Sequence, residues 1–272
     1  MNRCAQRHDN PTAAPPSKGR QVFTYVSPGE AIRHSGLRIV LVRGMPSPWA
    51  QAAKTILEVK GLDYVAAPLD VAGGNAEIAA WSGQNGAPVV AWKDERPVNR
   101  WNDILLLAER LAPAPALIPA DPYLRALTFG LSNEICGESG IGWNRRLQFW
   151  TGQRSAATEV LIGKYGYDAD HAAVAGSRIA ASLRMLSAQL RSQHARGVPY
   201  FVGDGLSAVD IYWAAFMNFF RPLSSAQCPM PEAARDRWLN TVDPQVESAL
   251  DPLLIEHRDR IFRDHFRDPM EF

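Results

Sequence analysis

Cysteine is scarce in this chain: three among 272 residues, with Cys4, Cys136 and Cys228 far apart. That number and spacing argue against a disulfide framework or a zinc knuckle and fit a reducing compartment, so a cytoplasmic location is expected. Long apolar runs are missing as well. None reaches the length that crosses a bilayer, and no membrane partner is expected. Neither sign of charge is in excess. Lys and Arg number 29 against 28 Asp and Glu, a formal net charge of +1, which leaves no global electrostatic footprint for nucleic acid. The six histidines are scattered, with no metal-ligand spacing on an obvious helix face, so no metal is expected. The opening MNRCAQRHDNPTAAPP lacks an apolar h-region and is not read as a signal peptide.

What is present is ordinary soluble-protein material: 46% hydrophobic and 21% charged residues, enough chain for one large domain or two small ones. Residues 1 to about 20 are rich in Pro, Ala, Asn and Arg and read as a disordered arm. Val22, Phe23 and Tyr25 follow, and are expected to pack as an extended strap on the next domain, with the whole of residues 1–36 taken as an arm. LRIVLVR from Leu37 reads as a buried strand. After GMPSP comes a helical pattern with Trp49, Ala53, Ile56 and Leu57 on one face, closed by Gly61. LDYVAAPLD is a second strand, and strand–helix–strand predicts a parallel pair. AEIAAW reads as helix. APVVAW and RPVNR around KDE predict a hairpin, and a helix follows with Ile104, Leu107, Ala108 and Leu111 on one side. Residues 37–112 are therefore expected to form an α/β domain of order βαβ, α, ββα.

LAPAPALIPADP holds four prolines and marks a linker over residues 113–121. Everything from residue 122 to 272 reads as helix. Ile179, Leu183, Leu186 and Leu190 form one stripe, and IYWAAFMNFF reads as a buried helix. Just before it, Ser207 and Asp210 have capping-box spacing, with Leu206 and Ile211 placed as a hydrophobic staple; this is a folding element rather than a reactive one.

The residue of most chemical interest is Ser47. Ser-Pro is a good helix cap followed by a good first helical residue. Ala50, not Glu or Gln, occupies the third helical position, so no reciprocal box holds the hydroxyl. A helix N-terminus also stabilises an anion. Cap and anion donor both remain open from the residues alone. A nucleophilic triad is not indicated, since no His or Asp stands near Ser47 in the sequence.

Three motifs together give a family resemblance. SPW with a helix ending KGLDY, GAPVVAW before a strand, and GDGLSAVDI opening a buried helix stand in the order and spacing of the glutathione transferase family, over about residues 37 to 265. The opening motif resembles its serine-type and omega-like members. The resemblance implies a thioredoxin-like α/β domain followed by an all-α domain. It implies glutathione as co-substrate, a small-molecule electrophile as second partner, and a homodimer. Ser47 then donates a hydrogen bond to the glutathione thiolate, and a cis Ala87–Pro88 leaves the Ala87 backbone free to meet the tripeptide. Where redox relatives carry C-P-x-C, the four positions here read Ser47-Pro48-Trp49-Ala50, which removes thiol–disulfide exchange at this place. Where the family has an acidic residue and then serine to hold the γ-glutamyl group, this chain has Arg100 and Trp101. Arg100 can clamp a carboxylate but cannot accept from an amine. The alternative is a scaffold of the same fold that binds without catalysis. NEICGESGIGWNRRLQFW is polar and aromatic at once. If its helix persists, Glu134 and Glu138 share a face, either in an ion-pair network with Arg145 or Arg146 or around a pocket for an acidic or polar co-substrate. Cys136 is expected to be a small buried residue.

Overall fold

The structure, a computed structural model, describes residues 23–71, 73–152 and 154–272. The expected disordered arm, with Cys4, and Val22 of the strap lie outside the described residues.

The strap begins as expected: Phe23 and Tyr25 meet edge to face at 5.0 Å, and Tyr25 forms a lone parallel bridge to Ala66. It then turns into a short helix, α1 (Pro28–Arg33), which the strap reading did not contain. The signal was Ser27-Pro28-Gly29-Glu30. The Ser27 N–H donates to Glu30 Oε2 at 2.9 Å and the Glu30 N–H to Ser27 Oγ at 3.3 Å, a complete capping box with proline at its first helical position.

β1 (Leu37–Val42), α2 (Pro48–Val59) and β2 (Val65–Leu69) form the expected βαβ unit, with β1 and β2 parallel from Arg38↔Val65 to Val42↔Leu69. Gly61, at φ +66, closes α2 in the left-handed conformation that a side chain resists. After α3 (Ala76–Ser82) comes β3 (Val89–Trp92), antiparallel to β1, so the sheet runs β2-β1-β3. The second arm of the expected hairpin is only a bridge, with Val90 and Val98 exchanging two 2.8 Å hydrogen bonds. Pro97 has no N–H to donate, and α4 (Trp101–Leu111) starts three residues after Val98. Alternate sheet residues face opposite ways. Ile39 and Leu41 enter the core with Ile56, Leu57, Ile104 and Leu105, whereas Val40, Ala67 and Val89 pack with Ile78 and Ala31.

The proline-rich stretch after α4 is pinned. The Leu117 N–H donates to Glu109 at 2.9 Å, the Leu117 carbonyl accepts from the Ala208 N–H at 2.9 Å, and the Lys60 ammonium, paired with Glu109 at 2.6 Å, donates to the Pro115 carbonyl. Beyond it, the described residues contain helices and no strand: α5 (Pro122–Cys136), α6 (Ile141–Trp150), α7 (Ala156–Tyr165), α8 (Ala169–Ala195), α9 (Ala208–Phe216), α10 (Glu232–Asn240), α11 (Pro244–Ala249) and α12 (Pro252–His265). Ile179, Leu183, Leu186 and Leu190 are fully buried, as is all of α9. Asp210 at the start of α9 accepts from the Ser207 N–H (2.8 Å) and hydroxyl (2.7 Å) and from the Phe201 N–H (3.0 Å), and lies 2.9 Å from His257 Nε2. This is a thioredoxin-like α/β domain followed by an all-α domain.

Candidate functional site

Ser47 stands at the N-cap of α2, half-buried, with φ −55° and ψ 119°. Its backbone is committed: the N–H donates to the Met45 carbonyl at 2.8 Å and the carbonyl accepts from Gln51 at 2.9 Å. Its hydroxyl makes no capping hydrogen bond. The contrast is local, since Asp121, Ser155 and Asp168 do cap α5, α7 and α8 with their side chains. The capping reading of the hydroxyl is thus corrected: Ser47 does not cap α2 with its side chain, although Asp121, with similar backbone angles and a proline likewise at the first helical position, caps α5.

The next residue but one holds α2 against the helical domain. Trp49 Nε1 donates to the carbonyl of Cys136 at 2.8 Å, and its indole meets Phe216 edge-on at 4.7 Å. Cys136 is the last residue of α5, so its carbonyl is one that the helix itself leaves open. The thiol is buried, donates to the Ser132 carbonyl at 3.0 Å, and is pushed well up by burial, so it is no nucleophile. Cys228 is buried too, and burial pushes it to about 11.

Ala87–Pro88 is cis, as the resemblance implied. Pro88 is buried and Ala87 half-buried. Pro88 and Trp101 come together with Trp49, Ala53, Ile104 and Tyr212 around a cavity of about 10 Å³, about the least that admits one water. The Tyr212 hydroxyl donates to the Trp101 carbonyl at 3.0 Å, and the two rings meet edge-on at 5.6 Å. Trp101 therefore fills the cleft, whereas Arg100, one residue earlier, is exposed and makes no cap to α4. Of the sequence-derived site residues, Pro88 and Trp101 share the cavity, with Ala87 beside them. Ser47 adjoins it through Trp49, and Arg100 stands apart. A larger cavity of about 420 Å³ is lined by Arg184, Arg191 and Asp251 among others, and shares no lining residue with this cleft.

The expected ion-pair network around Glu134 and Glu138 is not found. α5 ends at Cys136, so Glu138 lies beyond the helix and is exposed. The Glu134 carboxylate instead accepts from Ser182 at 3.1 Å. The two arginines meant to answer these acids diverge. Arg145 is fully buried and spends its guanidinium on the Trp238, Phe219 and Thr241 carbonyls, the Thr241 hydroxyl and Gln148. Arg146 is half-buried and sits over four rings, with its guanidinium carbon 4.2 Å from the centre of Tyr165, 4.5 Å from Trp49, 5.4 Å from Trp143 and 5.6 Å from Trp150. Burial pushes its pKa down to about 10, which still leaves it a cation at neutral pH. The polar-aromatic character of this segment was legible in the sequence. The different fates of its adjacent arginines were not, nor was Tyr212 as the cover of the cleft.

Among the described residues no helix is long and apolar enough to cross a membrane. No protein-family model matches the chain, and no curated protein sequence matches it. Solved structures do. A rice glutathione S-transferase, solved in complex with glutathione, is 21% identical over 85% of this chain and 92% of its own, at a TM-score of 0.57. One from Methylobacillus flagellatus, solved with GSH bound, is 13% identical over 84% of this chain and 95% of its own, also at 0.57. A glutathione S-transferase domain-containing protein of Marinobacter aquaeolei is 20% identical over 80% and 99%, at 0.55. At such identities the likeness is one of fold, and the fold of this chain is that of the glutathione transferases.

Proposed function

We propose that this chain binds glutathione beside the start of α2 and activates its thiol, through the Ser47 hydroxyl, for attack on an electrophilic small molecule. The observation that carries the reading is the uncommitted hydroxyl of Ser47 at the N-terminus of a twelve-residue helix. A hydroxyl that does not cap its own helix has its proton available to a thiolate. The helix dipole and the open N–H groups of the first turn favour the same negative charge. In the reaction the thiol proton leaves to water, the thiolate sulfur forms a bond to the electrophilic carbon, and the bond from that carbon to its leaving group breaks. The Ala87 backbone meets the cysteinyl part of the tripeptide. Arg100, exposed at the start of α4, offers its guanidinium to a glutathione carboxylate.

Absorbance of the bound thiolate, followed against pH in wild type and Ser47→Ala, tests this. A hydrogen bond to a charged partner is worth about 1.5–3 kcal/mol, so the bound thiol should titrate about one to two units higher in the variant. An unchanged thiol pKa would overturn the role of Ser47.

A second reading, a non-catalytic scaffold of the same fold, is favoured by one observation: Trp101 and Tyr212 leave only about 10 Å³ beside Pro88. Failure of both proteins to bind glutathione in calorimetry would establish it. The proposed assembly is a homodimer, as in the family the motifs resemble. Light scattering at micromolar concentration should then give twice the chain mass of 30.0 kDa, and a monomeric mass contradicts it.

A further inference from the structure

Arg146 has no acidic partner and no hydrogen-bond partner among the described residues, although its sequence neighbour Arg145 is fully engaged. A guanidinium drawn out of water without acceptors is costly, and contacts with ring faces repay only part of that cost. Four aromatic rings surround the group, those of Tyr165 and Trp49 nearest. The edge, with its five N–H donors, matches the two oxygens of a carboxylate. The nitrogens are not among the fully buried unpartnered atoms, so each keeps some contact with solvent.

The position of this cation ties it to the cleft. Trp49, under the guanidinium, is two residues beyond Ser47. Tyr165, also against it, belongs to the end of α7 that covers the loop before β3. The Lys164 ammonium there donates to the Asn85 carbonyl, and a Cβ placed on Gly86 would stand 3.1 Å from the Tyr165 hydroxyl. Gly86 directly precedes Ala87–Pro88. The cage therefore stands between the start of α2 and the loop to β3, contributed largely by the helical domain.

We propose that Arg146 is the anion-binding residue for the second substrate, and that this substrate is a planar aromatic electrophile bearing a carboxylate. The tryptophan and tyrosine rings supply flat apolar surface for the arene, and the guanidinium edge supplies the acceptor site for its carboxylate. This rests on the transfer reading given above, but the binding half stands without it.

A matched pair tests both: 4-chloro-3-nitrobenzoate and its methyl ester, which share ring and leaving group and differ in charge. In transfer the glutathione sulfur bonds to the ring carbon, chloride departs with the C–Cl electron pair, and the thiol proton goes to water. Binding is read separately, without glutathione, by quenching of tryptophan fluorescence with 3-nitrobenzoate and its methyl ester. Wild type should bind the carboxylate about tenfold or more tighter than the ester. Arg146→Gln should lose that preference, and Arg146→Lys, which keeps the charge without the fork, should fall between. Glutathione affinity should stay as in wild type. Carboxylate preference in binding without turnover of either compound would sink the transfer reading and keep this one. Wild type that binds the ester as well as the acid, or binds neither, overturns the proposal, as does an Arg146→Gln protein that keeps the preference. Loss of glutathione affinity in place of carboxylate affinity would assign Arg146 to the thiol and also overturn it. Should Arg146→Gln fail to fold, the wild-type pair and Arg146→Lys still decide.

Discussion

The indole N–H of Trp49 reaches out of the α/β domain to the carbonyl of Cys136, the last residue of the first helix of the helical domain, at 2.8 Å. One hydrogen bond thus closes an open helix end and orients the helix whose first turn presents Ser47. Trp49→Phe keeps most of the apolar contact and removes the donor. It should cost about 1–3 kcal/mol, because the buried acceptor is left unsatisfied. The midpoint of urea unfolding should fall with little change in slope; an unchanged midpoint would show that water replaces the indole.

Ser47→Ala should barely change stability, within about 0.5 kcal/mol, because the hydroxyl caps nothing. Asp121→Ala is the matched control. The Asp121 carboxylate accepts from the Leu124 N–H at 2.9 Å, and its loss should cost about 1 kcal/mol. Equal losses in the two variants would restore the capping role that the structure denies to Ser47.

Gly142 on α6 packs directly against Phe216 of α9 and Trp49 of α2. A Cβ there would overlap Cε1 of Phe216 and stand 2.7 Å from its Cδ1 and 3.1 Å from Cη2 of Trp49. Phe216 is fully buried and cannot move aside freely. Gly142→Ala should therefore destabilise by about 1–3 kcal/mol despite the better helix propensity of alanine. It should also alter tryptophan emission; a stabilised variant with native emission would contradict the close packing.

Asp251 gives a pH dependence with a definite sign. Burial works upward on its pKa, but the Ser187 hydroxyl, the Leu253 N–H and Arg191 together outweigh it and hold the carboxyl below its ordinary 3.8. A depressed carboxyl contributes stability that is fully present above the unfolded value and is lost as pH falls through the folded one. Asp251→Asn, which can still cap α12, should lower stability at pH 7 and match wild type near pH 2. A deficit that stays constant down to pH 2 would show that the loss is packing rather than charge.

Much of the architecture was determined by the sequence alone. The β1 and β2 runs, the Trp49–Leu57 face, the α8 stripe and the opening of α9 are local patterns, in which neighbours along the chain carry the periodicity that burial later requires. Even α1 was written there, in Ser27 and Glu30, although the strap reading passed over it. The motifs also pointed to Ser47 and to Pro88. The tertiary structure decided what those residues are free to do. Both Ser27 and Ser47 precede a proline at a helix start, yet Ser27 caps its helix and Ser47 does not, and whether Trp101 blocks the cleft depends on Tyr212, 111 residues away. Arg145 and Arg146 are adjacent in sequence and chemically identical. One meets the carbonyls of Phe219, Trp238 and Thr241, while the other meets Trp49 and Tyr165, because successive residues on a helix point about 100° apart into different surroundings. Sequence spacing sets that angle. Only the packing of distant segments around α6 decides what lies at the end of it.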